Sequence, residues 1–450
     1  MELLFTTLTT LDIILEKIAG WIWGWPLILL LFGTHLFLTI RTGVIQRHLP
    51  HALKLCFSRR QEGEGDVSAF SSLMIALAAT IGTGNIYGVA GAVLLGGPGA
   101  VLWMWLTGVF GIATKYGEAV LAVKYRQKNE RGEMVGGPML VLEKGLKLKW
   151  LGLLFALFAA IAGLGIGNMN QANTITELAQ EAIPGLENWM VALPLTLATG
   201  AVLIGGVRSI ARVCAWLVPF MALFYGIGCI VILLMNLEKI PGTLEVIFSS
   251  AFSGHAAIGG FVGAGIKEAM RYGIARGLFS NEAGLGSAPI VAAAAKTKDP
   301  VSQGLISATG VFWDTVIICA LTGLVIVGSG DWQMENLTKA KLCHAAFSDL
   351  SHFGTFILTG GLLTFVFSTI LGWSYYGEKS VEYLLGLKAV PYYRWLWVIA
   401  VFVGAMAPVS LIWNFADIMN GLMALPNLIS LVLLSGVIAA ETKRYFKTLD

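Results

Sequence analysis

Charge is what this sequence has least of. Lys, Arg, Asp and Glu make up 13% of its 450 residues, against about 25% in an ordinary soluble domain. Hydrophobic residues reach 56% and the mean hydropathy is +0.76. A net charge of +3, with no basic cluster, offers nothing for nucleic acid to bind. The five cysteines (Cys56, Cys214, Cys229, Cys319, Cys343) show no CxxC spacing, which argues against a zinc site or a disulfide framework. The 54 glycines follow no Gly-X-Y period, so a collagen is excluded. No Walker GxxxxGK[ST] loop is present, so a nucleotide-driven pump is disfavoured. Glu2 and Asp12 stand where a signal peptide needs basic residues, so the apolar start reads as a first membrane helix.

What the sequence does have is apolar runs long enough to cross a bilayer. They lie near 20–40, 67–95, 99–122, 150–180, 188–206, 212–236, 243–266, 304–328, 354–375, 395–412 and 415–438. The expectation is therefore an all-α integral membrane protein of about eleven transmembrane helices. With the N-terminus outside, 25 of the 30 Lys and Arg residues fall in cytoplasmic segments, among them 41–66, 123–149 and 267–303. Only Lys17, Lys239, Lys339 and Lys341 fall outside, and Lys115 stays within a helix. That asymmetry predicts an outside N-terminus and a cytoplasmic C-terminus in the cell membrane.

Two spans carry patterns that ordinary lipid-facing helices avoid. The first is Ala79-Thr80-Ile81-Gly82-Thr83-Gly84-Asn85-Ile86-Tyr87, in the second span. Two glycines around a threonine let helical hydrogen bonds lapse, which membrane depth tolerates only beside protein, water or a ligand. The other is Phe252-Ser253-Gly254-His255 followed by Gly259-Gly260, in the seventh. Without the first span, two five-helix halves remain, each opening on an interrupted helix and each inverted relative to the other. Half-helix N-termini in such a repeat favour a carboxylate and exposed carbonyls favour a small cation, the signature of a secondary transporter. The layout is an extra N-terminal helix and loop (1–66), repeats at 67–236 and 243–440, and a tail (441–450).

Gly82-Thr83-Gly84-Asn85, Gly136-Gly137-Pro138-Met139, Gly167-Asn168-Met169 with Gln171-Ala172-Asn173, and Arg276-Gly277-Leu278-Phe279-Ser280-Asn281-Glu282-Ala283-Gly284-Leu285-Gly286-Ser287-Ala288-Pro289 together resemble the alanine or glycine:cation symporter family. The likeness runs from about residue 20 to 440. It implies a LeuT-type inverted-repeat fold, sodium or proton as coupling ion without an organic cofactor, and alanine or glycine as substrate. It does not choose between those ions or substrates.

Carried onto this sequence, the resemblance places one cation on the carbonyls of Ala78 and Ile81 and the hydroxyls of Ser368 and Thr369. Hydroxyl and carbonyl oxygens suit a hard cation, although Ser and Thr also bond back to their own helix. A second cation position would use Thr80, Asn85 and Asp314, an intramembrane acid and hence functional by default, whose expected roles are to ligate sodium, relay a proton or pair with a nearby donor. The substrate carboxylate is expected on the N–H groups of Thr83 and Gly84. Its ammonium is expected on carbonyls of Phe252 and Ser253 and on Gln171 or Asn170. Trp373 is a candidate to close the pocket, or else an interfacial anchor.

Other polar residues receive plainer readings. Lys115 and Glu118, three apart, are expected to pair near the cytoplasmic surface. Ser280 to Ser287 is read as a cytoplasmic gate or hinge loop, outside the ligand shell. Asp417 has no evident role, and the six histidines share no metal-ligand spacing. A channel would need a pore loop or a ring of charges, neither of which is seen. For a membrane-embedded enzyme, no nucleophile motif links Ser280, His255 and Asp314. The oligomeric state is not legible.

Overall fold

The computed structural model describes residues 2–58, 63–183, 185–252, 265–334, 337–406 and 410–448, which are almost entirely helical. The helices are α1 (Glu2–Ile22), α2 (Trp25–Arg41), α3 (Ala69–Thr80), α4 (Tyr87–Gly96), α5 (Ala100–Lys124), α6 (Lys149–Leu164), α7 (Asn170–Ala182), α8 (Asn188–Ile204) and α9 (Gly206–Met235). There follow α10 (Ile240–Phe252), α11 (Ile266–Asn281), α12 (Pro289–Ala292), α13 (Pro300–Val311), α14 (Ala320–Ser329), α15 (Lys339–Leu350), α16 (Gly354–Leu385), α17 (Val390–Met406), α18 (Ser410–Leu433) and α19 (Ser435–Lys447). Eight stretches among the described residues are long and apolar enough to span a bilayer, and α3, α4 and α8 are shorter apolar helices. Helix α1 begins at Glu2, well before the expected 20–40, and the helix is interrupted at Trp23–Gly24, with Pro26 in the first turn of α2.

Two of the long stretches contain a wider, π-helical turn. Gly165–Met169 joins α6 to α7, and Phe312–Cys319 joins α13 to α14. Such turns redirect side chains and often mark functional positions. The first lets helices meet closely: a Cβ on Gly167 would stand 2.3 Å from the Cβ of Trp373 on α16. In the same way Gly372 of α16 sits against the backbone of Ala79, 2.6 Å from where its Cβ would be. Glycine is required at both positions because a backbone or a large ring fills the space. Thus α16 packs directly on the end of α3, with α6 on its other flank.

The interruption expected at Phe252-Ser253-Gly254-His255 and Gly259-Gly260 lies, beyond Phe252 of α10, outside the described residues. The described break in this half follows α11. Glu282, Gly284 and Gly286 all take positive φ (55°, 90° and 89°) before α12 begins at Pro289. Residues 267–303, expected to be a cytoplasmic loop, are instead a helix and a largely buried unwound segment. The physical reason is that a buried unwound chain needs left-handed positions, which the two glycines supply. Beyond α12 the chain runs beside the approach to α3. Asp66 N donates to Ala294 O (2.8 Å) and Lys296 N to Val67 O (2.8 Å). Arg126 clasps both strands, donating to the carbonyls of Glu64, Ala293, Ala295 and Thr297 at 2.7–2.9 Å.

Candidate functional site

The site is built where the two interruptions meet. Helix α3 stops at Thr80 because Ile81 and Gly82 turn extended, and Thr83–Asn85 make a single tight turn before α4. Asn85 closes that gap: its Oδ1 accepts from Gly82 N at 2.8 Å. Its Nδ2 donates to Asp314 Oδ1 at 2.7 Å. Only one amide orientation satisfies a backbone donor and a carboxylate together, so the assignment is chemically forced. Asp314 also accepts at Oδ2 from Ser280 Oγ (2.9 Å) and Thr315 Oγ1 (2.7 Å). One buried carboxylate therefore ties the first interruption to the end of α11.

Of the roles expected for Asp314, pairing with nearby donors is the one these contacts display. The carboxylate oxygens face three donors, and the Asn85 oxygen faces Gly82 N. Thr80 Oγ1 donates back to Ala76 O at 3.2 Å. Asp314 acts here as a clamp, because a buried carboxylate is tolerable only when fully hydrogen-bonded.

The four oxygens of the other expected cation position come together in two pairs. Ser368 Oγ lies 3.3 Å from Ala78 O, and Thr369 Oγ1 lies 3.3 Å from Ile81 O. Two oxygens at right angles around an ion about 2.4 Å from each would be about 3.4 Å apart. The spacing therefore fits a small hard cation with little rearrangement. The carbonyls are available because they belong to the C-terminal turn of α3, whose last acceptors have no helical donor. All four of these oxygens are neutral hydroxyl or carbonyl oxygens.

Beside these oxygens lies a narrow cleft with a cavity volume of about 20 Å³. Gly82 and Gly84 of the first interruption face Ser280, Glu282 and Leu285 of the second across it, and Trp373 and Ile166 complete its walls. Thr83 and Gly84 open a helical turn, whose leading N–H groups have no intrahelical acceptor and favour an anion. Gln171 lines the cleft with Nε2 donating to Ile166 O at 3.1 Å, while its Oε1 is buried without a partner. Asn420 lines it too, and its Oδ1 is also buried and unpartnered. Two orphan acceptors and the Glu282 carboxylate on one wall suit an ammonium group.

Several expected residues are placed apart from this cleft. Thr83 and Asn170 line an adjoining vestibule of about 190 Å³, with Tyr87, Arg276, Lys339 and Trp413. Gly84 and Phe279 border both spaces, and the Phe279 ring stands between them against Trp413 and Trp23 (centroids 6.2 and 6.3 Å). Phe252 is 60% exposed and packs edge-on to Trp103 (5.9 Å), away from the cleft. Ser253 lies outside the described residues. Trp373 is 2% exposed beneath Gly167, so it is no interfacial anchor. Lys115 and Glu118 do not pair: Glu118 Oε1 accepts from Gly284 N, Gly286 N and Asn427 Nδ2 (3.0, 3.1 and 2.7 Å). Sequence reasoning missed Phe279, Ser280, Glu282 and Asn420. The left-handed glycines after Asn281 were the available signal for the first three.

The two glycines of the first interruption separate experimentally. A Cβ on Gly82 would lie 2.6 Å from Thr369 Oγ1, whereas one on Gly84 would meet Phe279 at an ordinary 3.5 Å. Gly82→Ala should therefore displace the Thr369 hydroxyl and weaken sodium binding. Gly84→Ala should fill the cleft and weaken amino-acid binding while sodium affinity holds. Overpacking by one methyl costs about 1–3 kcal/mol, or about 5- to 150-fold in affinity. Separate titrations of sodium and alanine on both variants read this out; identical effects of the two changes would contradict it.

Two interrupted helices around a small polar cleft, in a chain with many apolar spans, define a multi-span membrane transporter. The profile described as the sodium:alanine symporter family matches residues 8–450, and the chain belongs to that family. It is 50% identical over 442 residues to the sodium/alanine symporter AgcS of Methanococcus maripaludis, covering 96% of each chain. An uncharacterized transporter of Haemophilus influenzae is 51% identical over 446 residues, covering 98% of this chain and 97% of its own. The probable sodium/glutamine symporter GlnT of Bacillus subtilis is 37% identical over 442 residues, covering 96% and 91%. The protein is thus a sodium-coupled amino-acid symporter and not an enzyme.

Proposed function

We propose that the protein imports alanine, or an amino acid of similar size such as glycine, down a sodium gradient by alternating access. The observation that carries this is the shared break at 81–86. Its carbonyl side meets Ser368 and Thr369, and its N–H side meets the cleft holding Gln171 and Asn420. Sodium on Ala78, Ile81, Ser368 and Thr369 holds the break against α16. The substrate carboxylate then rests on Thr83 and Gly84, with its ammonium on Gln171, Asn420 and Glu282. Because Gly82 contacts the Thr369 hydroxyl and also lines the cleft, ion and substrate stabilise one backbone conformation, which is how their binding is linked. Phe279 covers the cleft from the vestibule, and release requires the Arg126 clasp to open on the other side.

The architecture proposed with it is LeuT-type, with α3–α9 and α10–α18 as inverted repeats, about eleven spans, an outside N-terminus and placement in the cell membrane. Moving Lys267, Arg271 and Arg276 to the outer half of α11 reduces the charge asymmetry without reversing it. Trp373 and Phe279 bound the cleft closely, which favours alanine over the larger side chain carried by glutamine. The test is uptake by proteoliposomes. Alanine should accumulate with an inward sodium gradient and not with a proton gradient alone, and leucine should be excluded. Equal uptake of alanine and leucine, or sodium-independent uptake, would overturn the proposal.

A further inference from the structure

Helices α1 and α2 precede both interruptions in the chain, yet the break between them reaches the wall of the cleft. That break is received by α18 at Gly421, where a Cβ would stand 2.5 Å from Ile22 Cγ2 and 3.4 Å from Trp23 Nε1. Only glycine leaves room for such a close approach. The two tryptophans beside the break point in different directions. Trp21 is 75% exposed, whereas Trp23 is half-buried against the rest of the protein. Trp23 Nε1 donates to Asp417 O of α18 at 3.1 Å, and its ring meets the Phe279 ring edge-on.

Phe279 is thus held by three neighbours. The Trp23 ring lies 6.3 Å away and the Trp413 ring 6.2 Å, and the Arg276 guanidinium carbon lies 5.9 Å over its face. Trp413 and Arg276 line the vestibule, but Trp23 lines neither the vestibule nor the cleft. Residues 413, 417, 420 and 421 share one face of α18 by helical spacing. That face sets Trp413 against Phe279, accepts Trp23, and presents Asn420 to the cleft. An amino acid cannot pass between vestibule and cleft without moving the Phe279 ring, which stands between them. Moving the ring breaks its contact with Trp23, so that contact stabilises the closed cleft from behind, without touching substrate.

We propose that Trp23 is a positioning residue that holds Phe279 closed over the bound amino acid, so that the α1–α2 break sets how long the substrate stays in the cleft. The inference rests on the cleft being the substrate site. A Trp23 that merely anchored α1 to α18 would need its bond to Asp417 and its bulk, but not its ring against Phe279. The two roles therefore separate. Losing the ring contact should speed release of alanine to the vestibule, because weakened closure appears chiefly in the dissociation rate. Sodium binding should hold, since Ala78, Ile81, Ser368 and Thr369 lie on α3 and α16.

The experiment measures alanine dissociation from the purified protein at saturating sodium, and sodium affinity without alanine. Trp23→Ala should release alanine more than about threefold faster than wild type, as expected for a lost aromatic pair, with sodium affinity unchanged. Trp23→Phe keeps a ring facing Phe279 while losing the bond to Asp417, and should stay within about threefold of wild type. A double-mutant cycle with Phe279→Leu supplies the reading that an anchoring role would not move. With Phe279→Leu already present, the acceleration caused by Trp23→Ala should shrink by at least about twofold. Trp23→Leu keeps apolar bulk without the ring, and it replaces Trp23→Ala throughout if that variant does not fold. Release within about threefold of wild type in the ring-less variants would overturn the proposal. So would the same acceleration in both Phe279 backgrounds, or a Trp23→Phe protein as fast as the ring-less one. Wild-type protein that does not bind alanine would instead sink the substrate assignment.

Discussion

Replacing Ser368 and Thr369 together by alanine is expected to abolish the sodium dependence of transport while leaving the protein folded. Two of the four oxygens proposed for the cation are removed, and the remaining carbonyls of Ala78 and Ile81 cannot enclose an ion alone. Hydrogen-bonding groups directed at a charge are worth about 1.5–3 kcal/mol each, so the loss should raise the half-saturating sodium concentration by about 100-fold or more. Folding should survive for a local reason. Each hydroxyl donates only to backbone carbonyls, Ser368 to Phe365 (2.9 Å) as well as Ala78, and Thr369 to Ile81. Alanine is also the best helix former. The measurement is alanine uptake against sodium concentration, with thermal melting as the control for folding. An unchanged sodium curve in a folded double variant would refute the assignment.

Gln171→Ala is expected to weaken alanine binding by about 10- to 150-fold, equivalent to about 1.5–3 kcal/mol for a hydrogen bond to a charged group. The geometry makes this residue a ligand more than a support. Its Nε2 is held by Ile166 O in the π-helical turn, which leaves Oε1 aimed into the cleft without a partner. A buried acceptor in that state is normally completed by something the fold does not supply. Insertion should be unaffected, because removing an amide makes the helix more apolar. Equilibrium binding at saturating sodium tests this. Wild-type affinity in the variant would withdraw Gln171 and shift the ammonium to Asn420 and Glu282.

The features legible in the sequence were those set by local chemistry. The break at Gly82–Asn85 could be read because consecutive residues make it, and Gln171 and Asp314 were noticed because polar groups are rare among apolar ones. The role of Asp314 was not legible. Its partners Asn85 and Ser280 are 229 and 34 residues away, and only their shared position turns an isolated acid into a clamp. The break expected at Phe252–Gly260 from a cluster of small residues lies, past Phe252, outside the described residues, and the unwound segment that is described uses Gly284 and Gly286, which also carry the family motif. Lys115 and Glu118 show the same limit, because helical spacing allowed a direct ion pair, whereas packing gives Glu118 Oε1 to the N–H groups of Gly284 and Gly286 and to Asn427.

By itself the sequence determined that this chain lives in a bilayer, that it is helical, and that one helix is broken at Gly82–Asn85. Those properties follow from hydropathy and from what glycine permits along a short stretch of chain. The tertiary structure alone decided which atoms face one another. Gly372 against Ala79 brings Ser368 and Thr369 onto the carbonyls of α3, and Gly167 against Trp373 brings Gln171 into the same cleft. Those contacts join residues far apart in the chain through close backbone approach, and a one-dimensional pattern holds no information about such distances.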